Sequence, residues 1–231
     1  MDKRFQPVAW LQEAGYKAYL VGNQVRAILA GRSYDPKDID IATSALPEAV
    51  AGILRRHSIL PAQLDATFGV VTFELQGNSY EITTFRSDVY DPQFDHIKRK
   101  PSRIEFTDDL TTDALRRDFT INAIYLNPVS GHYLDPLSGR ADLKNKTLRF
   151  IGDPEIRIKE DPLRVLRAIR FKHSLGLHYA PATRVALGKL GRLVHKLSNA
   201  ILKKEFQKIQ NLEGYAAARR EMQAWGIISR L

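Results

Sequence analysis

Apolar and polar residues alternate in several short stretches of this chain. In KDIDIA (37–42) an extended backbone sends successive side chains to opposite faces. Asp38 and Asp40 therefore share one face, and Ile39 and Ile41 point the other way, toward a core. KAYLVG (17–22) reads as a short buried strand ending at a glycine, and NQVRAILAG (23–31) as a helix closed by Gly31. SALPEAVAGILRRH (44–57) predicts a second helix, capped by Thr43 or Ser44, with Pro47 near its first turn. GVVTFEL (69–75) and YEITTFR (80–86) alternate on either side of QGNS and predict a hairpin closed by a Gly-Asn turn. Strand, helix, strand, helix and hairpin in this order predict a small mixed sheet with helices on one side, an α/β (α+β) fold.

The pattern changes after residue 86. Residues 87–109 are polar and charged, contain two prolines, and read as a long loop. TTDALRRDFTINAIYL (111–126) starts helical and then turns extended. From about residue 154 helical periodicity dominates, through PEIRIKEDPLRVLRAIRFKHSLG, PATRVALGKLGRLVHKLS and AILKKEFQKIQNLEGYAAARREMQAW. A domain boundary is expected near residue 150, separating 1–150 from a helical 151–231. The terminal YAAARREMQAWGIISRL is amphipathic enough to pack on those helices or to mediate association.

Composition narrows the chemistry. The absence of cysteine in 231 residues excludes disulfides, thiolate zinc sites and a cysteine nucleophile. The N-terminal stretch is too charged for a signal peptide, and no apolar run approaches the ~20 residues that span a bilayer. The expectation is a soluble cytoplasmic protein with no membrane partner. The net charge of +9 points to a polyanionic partner, with nucleic acid leading. Basic residues gather at 96–103, at 157–172 and in the C-terminal third, at Lys189, Arg192, Lys196, Lys203, Lys204 and Lys208. Taken singly, most of those lysines read as a solvated helix face.

Three motifs carry candidate chemistry. Asp38 and Asp40 side by side repel unless a cation lies between them, and such carboxylates bind Mg²⁺, which also bridges triphosphate oxygens. Gly22 ahead of a helix suits a phosphate. Together these are the equipment of a nucleotidyl transfer enzyme, although the aspartates alone would fit a solvated edge strand. In LRRDFTINAIY (115–125), Arg116 and Arg117 cannot both lie on one helix face. One is expected to reach a phosphate while the other pairs with Asp113, Asp118 or a neighbour. In EDPLRVLRAIRF (160–171), Leu163, Leu166 and Ile169 form an apolar stripe. Asp161, Arg164 and Arg167 recur every three residues along another side, with Arg170 following. A paired acceptor and donor can match the edge of cytosine or adenine, whereas the plainer reading is an amphipathic helix with internal ion pairs.

YLVGNQVRAILAGRSYDPKDIDIAT, YEITTFR, DDLTTDALRRDFTINAIYLNP, DPLSGRADLKNKTLRFIGDP and RIKEDPLRVLRAIRF together resemble class II tRNA nucleotidyltransferases (CCA-adding enzymes) and bacterial poly(A) polymerases. The resemblance runs in order from about residue 18 to 211 and concerns the head and neck of those enzymes. It implies a polymerase-β-type nucleotidyltransferase head followed by a helical neck. It also implies two Mg²⁺ ions on Asp38 and Asp40, a third carboxylate at Glu81, and a phosphate-binding turn at Gly22, Asn23 and Arg26. Ribose and phosphate contacts map to Arg116 and Arg117, Arg117 being favoured. Base reading maps to Asp161 and Arg164, with Arg167 and Arg170 on the same helix, and 87–106 takes the place of a flexible loop. The implied substrates are ATP, CTP and an RNA 3′ end, tRNA being favoured over a generic RNA to be polyadenylated.

Two departures mark the turn. The family pattern GGxVRD reads GNQVRA here, so Asn23 replaces a glycine and Ala27 an acidic residue. Enzymes of the family also continue through body and tail domains that hold tRNA, whereas this sequence stops soon after the neck. RNA grip would then fall to Lys189, Arg192, Lys196, Lys203 and Lys204, or to a partner subunit or self-association. The competing expectation is a non-catalytic RNA-binding paralogue with a degenerate turn.

Overall fold

A computed structural model describes residues 2–31, 38–90 and 101–228. The chain divides into two compact units. The first comprises Met1–Val89, Arg103–Arg117 and Ile121–Arg140; the second comprises Tyr90–Ser102, Asp118–Thr120 and Ala141–Leu231.

In the first unit, α1 (Gln6–Glu13) leads into β1 (Ala18–Val21), α2 (Asn23–Leu29) and β2 (Asp38–Thr43). Next come α3 (Pro47–Arg56), β3 (Gln63–Asp65), β4 (Val70–Leu75), β5 (Asn78–Thr84), β6 (Arg86–Val89) and β7 (Arg103–Phe106). The unit closes with α4 (Leu110–Arg116), β8 (Tyr125–Leu126) and β9 (Tyr133–Leu134). Among the described residues, seven strands form one mixed sheet in the order β3-β4-β5-β2-β1-β8-β9. β2 runs parallel to β5 and antiparallel to β1. Ile39, Ile41, Val71, Phe73, Tyr80 and Ile82 are buried with Val8, Leu11, Val50 and Leu54 of the helices in one core. The apolar halves of the alternating strands thus form the face that packs, as the period of two requires.

Local chemistry explains the junctions. The β4–β5 hairpin closes with Gln76 at φ 51° and Gly77 at φ 77°, the two left-handed residues that a tight hairpin turn needs. The turn is therefore Gln-Gly, one position earlier than expected, and Asn78 already pairs with Leu75. Pro47 opens α3, but Leu46 occupies the cap without a side-chain bond. Thr43 instead accepts from Ala45 N at 3.1 Å. Asp109 caps α4 by accepting from Thr111 N at 3.1 Å and Thr112 N at 2.9 Å. The long loop expected over 87–109 contains structure at its roots: β6 and β7 pair antiparallel, with Arg86 opposite Phe106. The flexible-loop reading of 87–106 falls partly on 91–100, which lie outside the described residues, as do 32–37 and 229–231.

The second unit is helical, as the periodicity predicts. The boundary between the units falls within α5 (Gly139–Lys144), and β10 (Thr147–Leu148) pairs in parallel with β11 (His178–Tyr179). The helices are α6 (Pro154–Glu160), α7 (Leu163–Leu175), α8 (Pro181–Leu190), α9 (Asn199–Gln210) and α10 (Tyr215–Ala224). Phe119 lies 4.7 Å from Phe150 and 5.8 Å from Phe171 between ring centroids. α10 packs inside this unit through Ala218 and Met222, and Glu221 accepts from Lys172 at 3.0 Å and pairs with His173 at 2.8 Å. Among the described residues no helix is long and apolar enough to cross a membrane.

Candidate active site

β2 delivers Asp38 and Asp40 to one face. β5, beside it in parallel, places Ser79 opposite Asp38 and Glu81 opposite Asp40. Opposed residues share a face, so three carboxylates from two adjacent strands face the same side. Asp38 and Glu81 are exposed and Asp40 is half-buried. Burial pushes the Asp40 carboxyl up to about 6; the charge of Glu81 adds to this and that of Asp38 adds less, against the opposing pull of Arg117 and Arg26. Asp40 is thus a carboxylate short of positive charge.

The β1–α2 turn runs directly against it. Gly22 has φ +79°, and a Cβ there would lie 2.9 Å from Asp40 Oδ2. Only glycine fits both the left-handed backbone and that approach. Asn23 is exposed at the first position of α2, and its side-chain oxygen accepts from Arg26 at 3.3 Å. Arg26, buried, also donates to the Asn122 side chain. In this chain two asparagines hold the turn arginine, while Ala27 at the departed acidic position is buried. Gln24, which no sequence pattern singled out, reaches the β2 backbone from the same turn.

Both arginines of the RRD stretch meet one aspartate. Asp113 is fully buried and receives Arg116 Nε at 2.7 Å, Arg117 Nη2 at 2.9 Å and the Tyr125 hydroxyl at 2.7 Å. The carboxylate partner expected among Asp113, Asp118 or a neighbour is Asp113, and it anchors both arginines rather than one. Arg116 and Arg117 stand three and four residues after Asp113, so helical spacing brings both guanidinia to the one carboxylate. Burial would raise the Asp113 pKa, but the Arg117 and Arg116 guanidinia outweigh it and hold the carboxyl at about 2. Burial pushes the Tyr125 hydroxyl up, opposed by Arg117 and helped by Asp113. Arg117 also lies 5.2 Å over the Tyr125 ring.

In the second unit the arginines of α7 are also paired. Arg164, buried, donates to Glu160 and to the Arg157 carbonyl, both at 2.8 Å. Arg167 meets Asp118 at 2.6 Å and Arg170 meets Glu205. Asp161 does not continue the helical row. It sits between α6 and α7 in extended conformation, and its carboxylate accepts from Leu163 N at 3.0 Å as a cap. The three-residue spacing is genuine only from Arg164 onward, because Pro162 ends α6 and restarts the chain.

Of the residues expected to grip RNA, Lys189 is bridged to Glu155 at 2.8 Å. Arg192, Lys196, Lys203 and Lys204 are exposed. Lys208 lies 3.9 Å from Glu205.

Among the described residues no three acidic, histidine or cysteine side chains already form a metal-binding group. The donor chemistry nevertheless fits a magnesium ion. Asp38, Asp40 and Glu81 are hard oxygen donors on one face, and a divalent cation would offset the burial and the neighbouring negative charge that raise Asp40.

A mixed α/β sheet bearing this carboxylate face, in a chain that continues into helices, is the head-and-neck architecture of a nucleotidyltransferase-type fold. Residues 18–149 match the family model described as the poly A polymerase head domain, and the chain belongs to that family. It is 38% identical over 199 residues to the CCA-adding enzyme of Leuconostoc citreum (strain KM20), covering 86% of this chain and 47% of that protein. The crystal structure of Bacillus stearothermophilus CCA-adding enzyme in complex with CTP is 34% identical, with a TM-score of 0.82 over 96% of this chain and 52% of that one. A tRNA nucleotidyltransferase complexed with a primer tRNA and an incoming ATP analog is 26% identical, with a TM-score of 0.76 over 96% of this chain and 60% of that one. The chain spans about half the length of the curated relatives it matches.

Proposed function

We propose that this chain carries a template-independent RNA 3′-end nucleotidyltransferase, adding CMP and AMP to the 3′ terminus of tRNA in the cytoplasm. The observation that carries the reading is the register of Asp40 with Glu81 on adjacent parallel strands, with Asp38 on the same face and Gly22 against the Asp40 carboxylate. Similarity to proteins named CCA-adding enzymes, one of them solved with CTP, supports the substrate class.

In this reading residues 1–150 form the catalytic head and 151–231 the neck. Asp38 and Asp40 would hold two magnesium ions, which when bound would supply Lewis-acid stabilisation of charge on the reacting oxygens. Glu81 orients the RNA 3′-hydroxyl and accepts its proton. Gly22 lets backbone approach the triphosphate, and Asn23 and Arg26 contact its oxygens. Arg116 and Arg117, held by Asp113 and Tyr125, present guanidinium edges to ribose and phosphate. Asp161 and Arg164 read the base, supported by Arg167 and Arg170. Arg192, Lys196, Lys203 and Lys204, with Lys189 once it exchanges Glu155 for phosphate, hold the RNA backbone, alone or with a partner subunit or second copy.

A second reading, poly(A) addition, is favoured by the description of the family itself. One experiment separates the readings: incorporation of labelled CTP and ATP, separately and together, with Mg²⁺, into a tRNA lacking its terminal CCA and into a generic single-stranded RNA. Short CCA or A addition confined to tRNA supports the first reading, and long A tails on either RNA support the second. No extension by the folded protein rejects both and favours a non-catalytic RNA-binding module, with Asn23 and Ala27 the first suspects.

A further inference from the structure

β1 and β2 pair only as far as Leu20 opposite Ile41. Beyond that point β1 ends at Val21 and the chain turns through Gly22 into α2, so among the described residues the β1-side edge of the Asp38–Asp40 segment has no strand to pair with. In an extended segment the carbonyl of residue i and the N–H of residue i+2 point to the same edge. Here those groups are the Asp38 carbonyl and the Asp40 N–H, one on each side of the peptide units that hold the two carboxylates in place.

Gln24 occupies that edge. Its side chain is 1% exposed. Its Nε2 donates to the Asp38 carbonyl, and its Oε1 accepts from Asp40 N at 3.5 Å. A carbonyl can only accept and an amide N–H can only donate, so these two backbone groups fix which end of the carboxamide faces which. One residue of a parallel neighbouring strand makes this same pair of bonds, donating to residue i−1 and accepting from residue i+1. The carboxamide continues the sheet by one side chain where the backbone of β1 has departed.

We propose that Gln24 is a positioning residue for the catalytic aspartates: its carboxamide stands in for a missing strand and fixes the backbone from which Asp38 and Asp40 project. The inference rests on the nucleotidyltransferase reading for its catalytic consequence, but the clamp itself does not. The Gln24 carboxamide bonds the β2 backbone at both ends, so it acts through the orientation of β2. A buried glutamine is costly unless both ends of its amide are bonded, which is why the position needs this side chain and not merely its volume.

The test uses Gln24→Met, which keeps the length and removes both bonds, and Gln24→Glu, which keeps the accepting oxygen and loses the donor. The first measurement is amide hydrogen exchange at Asp40, which requires no activity. The wild-type amide is expected to be protected, and Gln24→Met to speed its exchange about tenfold or more, while amides of Val71 and Ile82 in the same sheet stay as slow as before. The second is steady-state incorporation. The kcat of Gln24→Met should fall about 10- to 100-fold, with KM for the nucleotide within about threefold, because misplacement of reacting groups acts on the chemical step. Gln24→Glu should fall between wild type and Gln24→Met in Asp40 exchange. An unprotected Asp40 amide in the wild-type protein, or unchanged exchange in a folded Gln24→Met, overturns the clamp. Faster exchange with unchanged kcat overturns the positioning role. Absence of activity in the wild type, with the exchange result intact, rejects the nucleotidyltransferase reading and leaves the clamp standing. If Gln24→Met does not fold, the wild-type protection and Gln24→Glu still decide the clamp.

Discussion

Asp40 on the sheet of the first unit and the arginines of α7 in the second use buried charge in opposite ways. On the sheet of the first unit, Asp40 is half-buried beside other carboxylates, and its pKa rises to about 6. On α7 of the second unit each arginine has a carboxylate: Glu160 for Arg164, Asp118 for Arg167 and Glu205 for Arg170. Burial alone would lower the pKa values of Arg164 and Arg167, yet their charged neighbours raise both. A charge buried with its partner builds structure. A charge buried against its own kind is strained until something else arrives, and that is where chemistry is expected.

The sharpest way to break this contrast is Asp40→Asn. If Asp40 holds a metal ion as proposed, labelled-nucleotide incorporation should fall by about 10³-fold or more. Thermal stability without Mg²⁺ should hold or rise, by roughly 1 to 3 kcal/mol, because a carboxylate held above its usual pKa opposes folding when ionised. An active variant, or one that is markedly less stable, would mean that Asp40 is a structural ion after all.

Asp113 provides the opposite case within the first unit. Its carboxyl is held at about 2, below the unfolded value. Its contribution is therefore full above about pH 4 and is lost as the pH falls through about 2. Asp113→Asn should cost roughly 3 kcal/mol or more in urea unfolding at neutral pH, since it leaves two arginines without their carboxylate. The variant should also lose the part of the acid dependence that lies between those two values. Identical acid profiles for wild type and variant would show that another group sets it.

Asp118→Asn tests the second unit. A double-mutant cycle with Arg167→Met should return a coupling of about 1 to 3 kcal/mol. A coupling near zero would make the paired row on α7 no more than a set of solvated contacts. The smallest expected effects are at the exposed lysines. Lys203→Ala and Lys204→Ala should each reduce the slope of log RNA affinity against log salt by about 1 at most. Lys189→Ala should do less, because Glu155 already occupies its ammonium. A larger effect at Lys189 than at Lys203 would reverse that order.

Asp161 connects the two uses of charge. It caps α7 through Leu163 N. If it also reads the base, Asp161→Ala should blur the choice between CTP and ATP, measured as the ratio of kcat/KM for the two nucleotides. An unchanged ratio would leave Asp161 as a cap alone.

What the sequence determined by itself was local. The period of two in KDIDIA puts Asp38 and Asp40 on one face of any strand they form, and glycine at position 22 marks the turn, because backbone sterics decide both. Helical periodicity after residue 154 likewise needed no partner to be read. The tertiary structure decided which groups meet across distance in the chain. The register that sets Glu81 beside Asp40 depends on how β5 lies along β2. The meeting of the Tyr125 hydroxyl with Asp113 depends on where β8 returns beside α4. The turn of Gln24 toward the bare edge of β2 depends on where β1 stops. None of these has a period or a spacing, since each arises from two segments whose separation in sequence carries no information about the angle at which they pack.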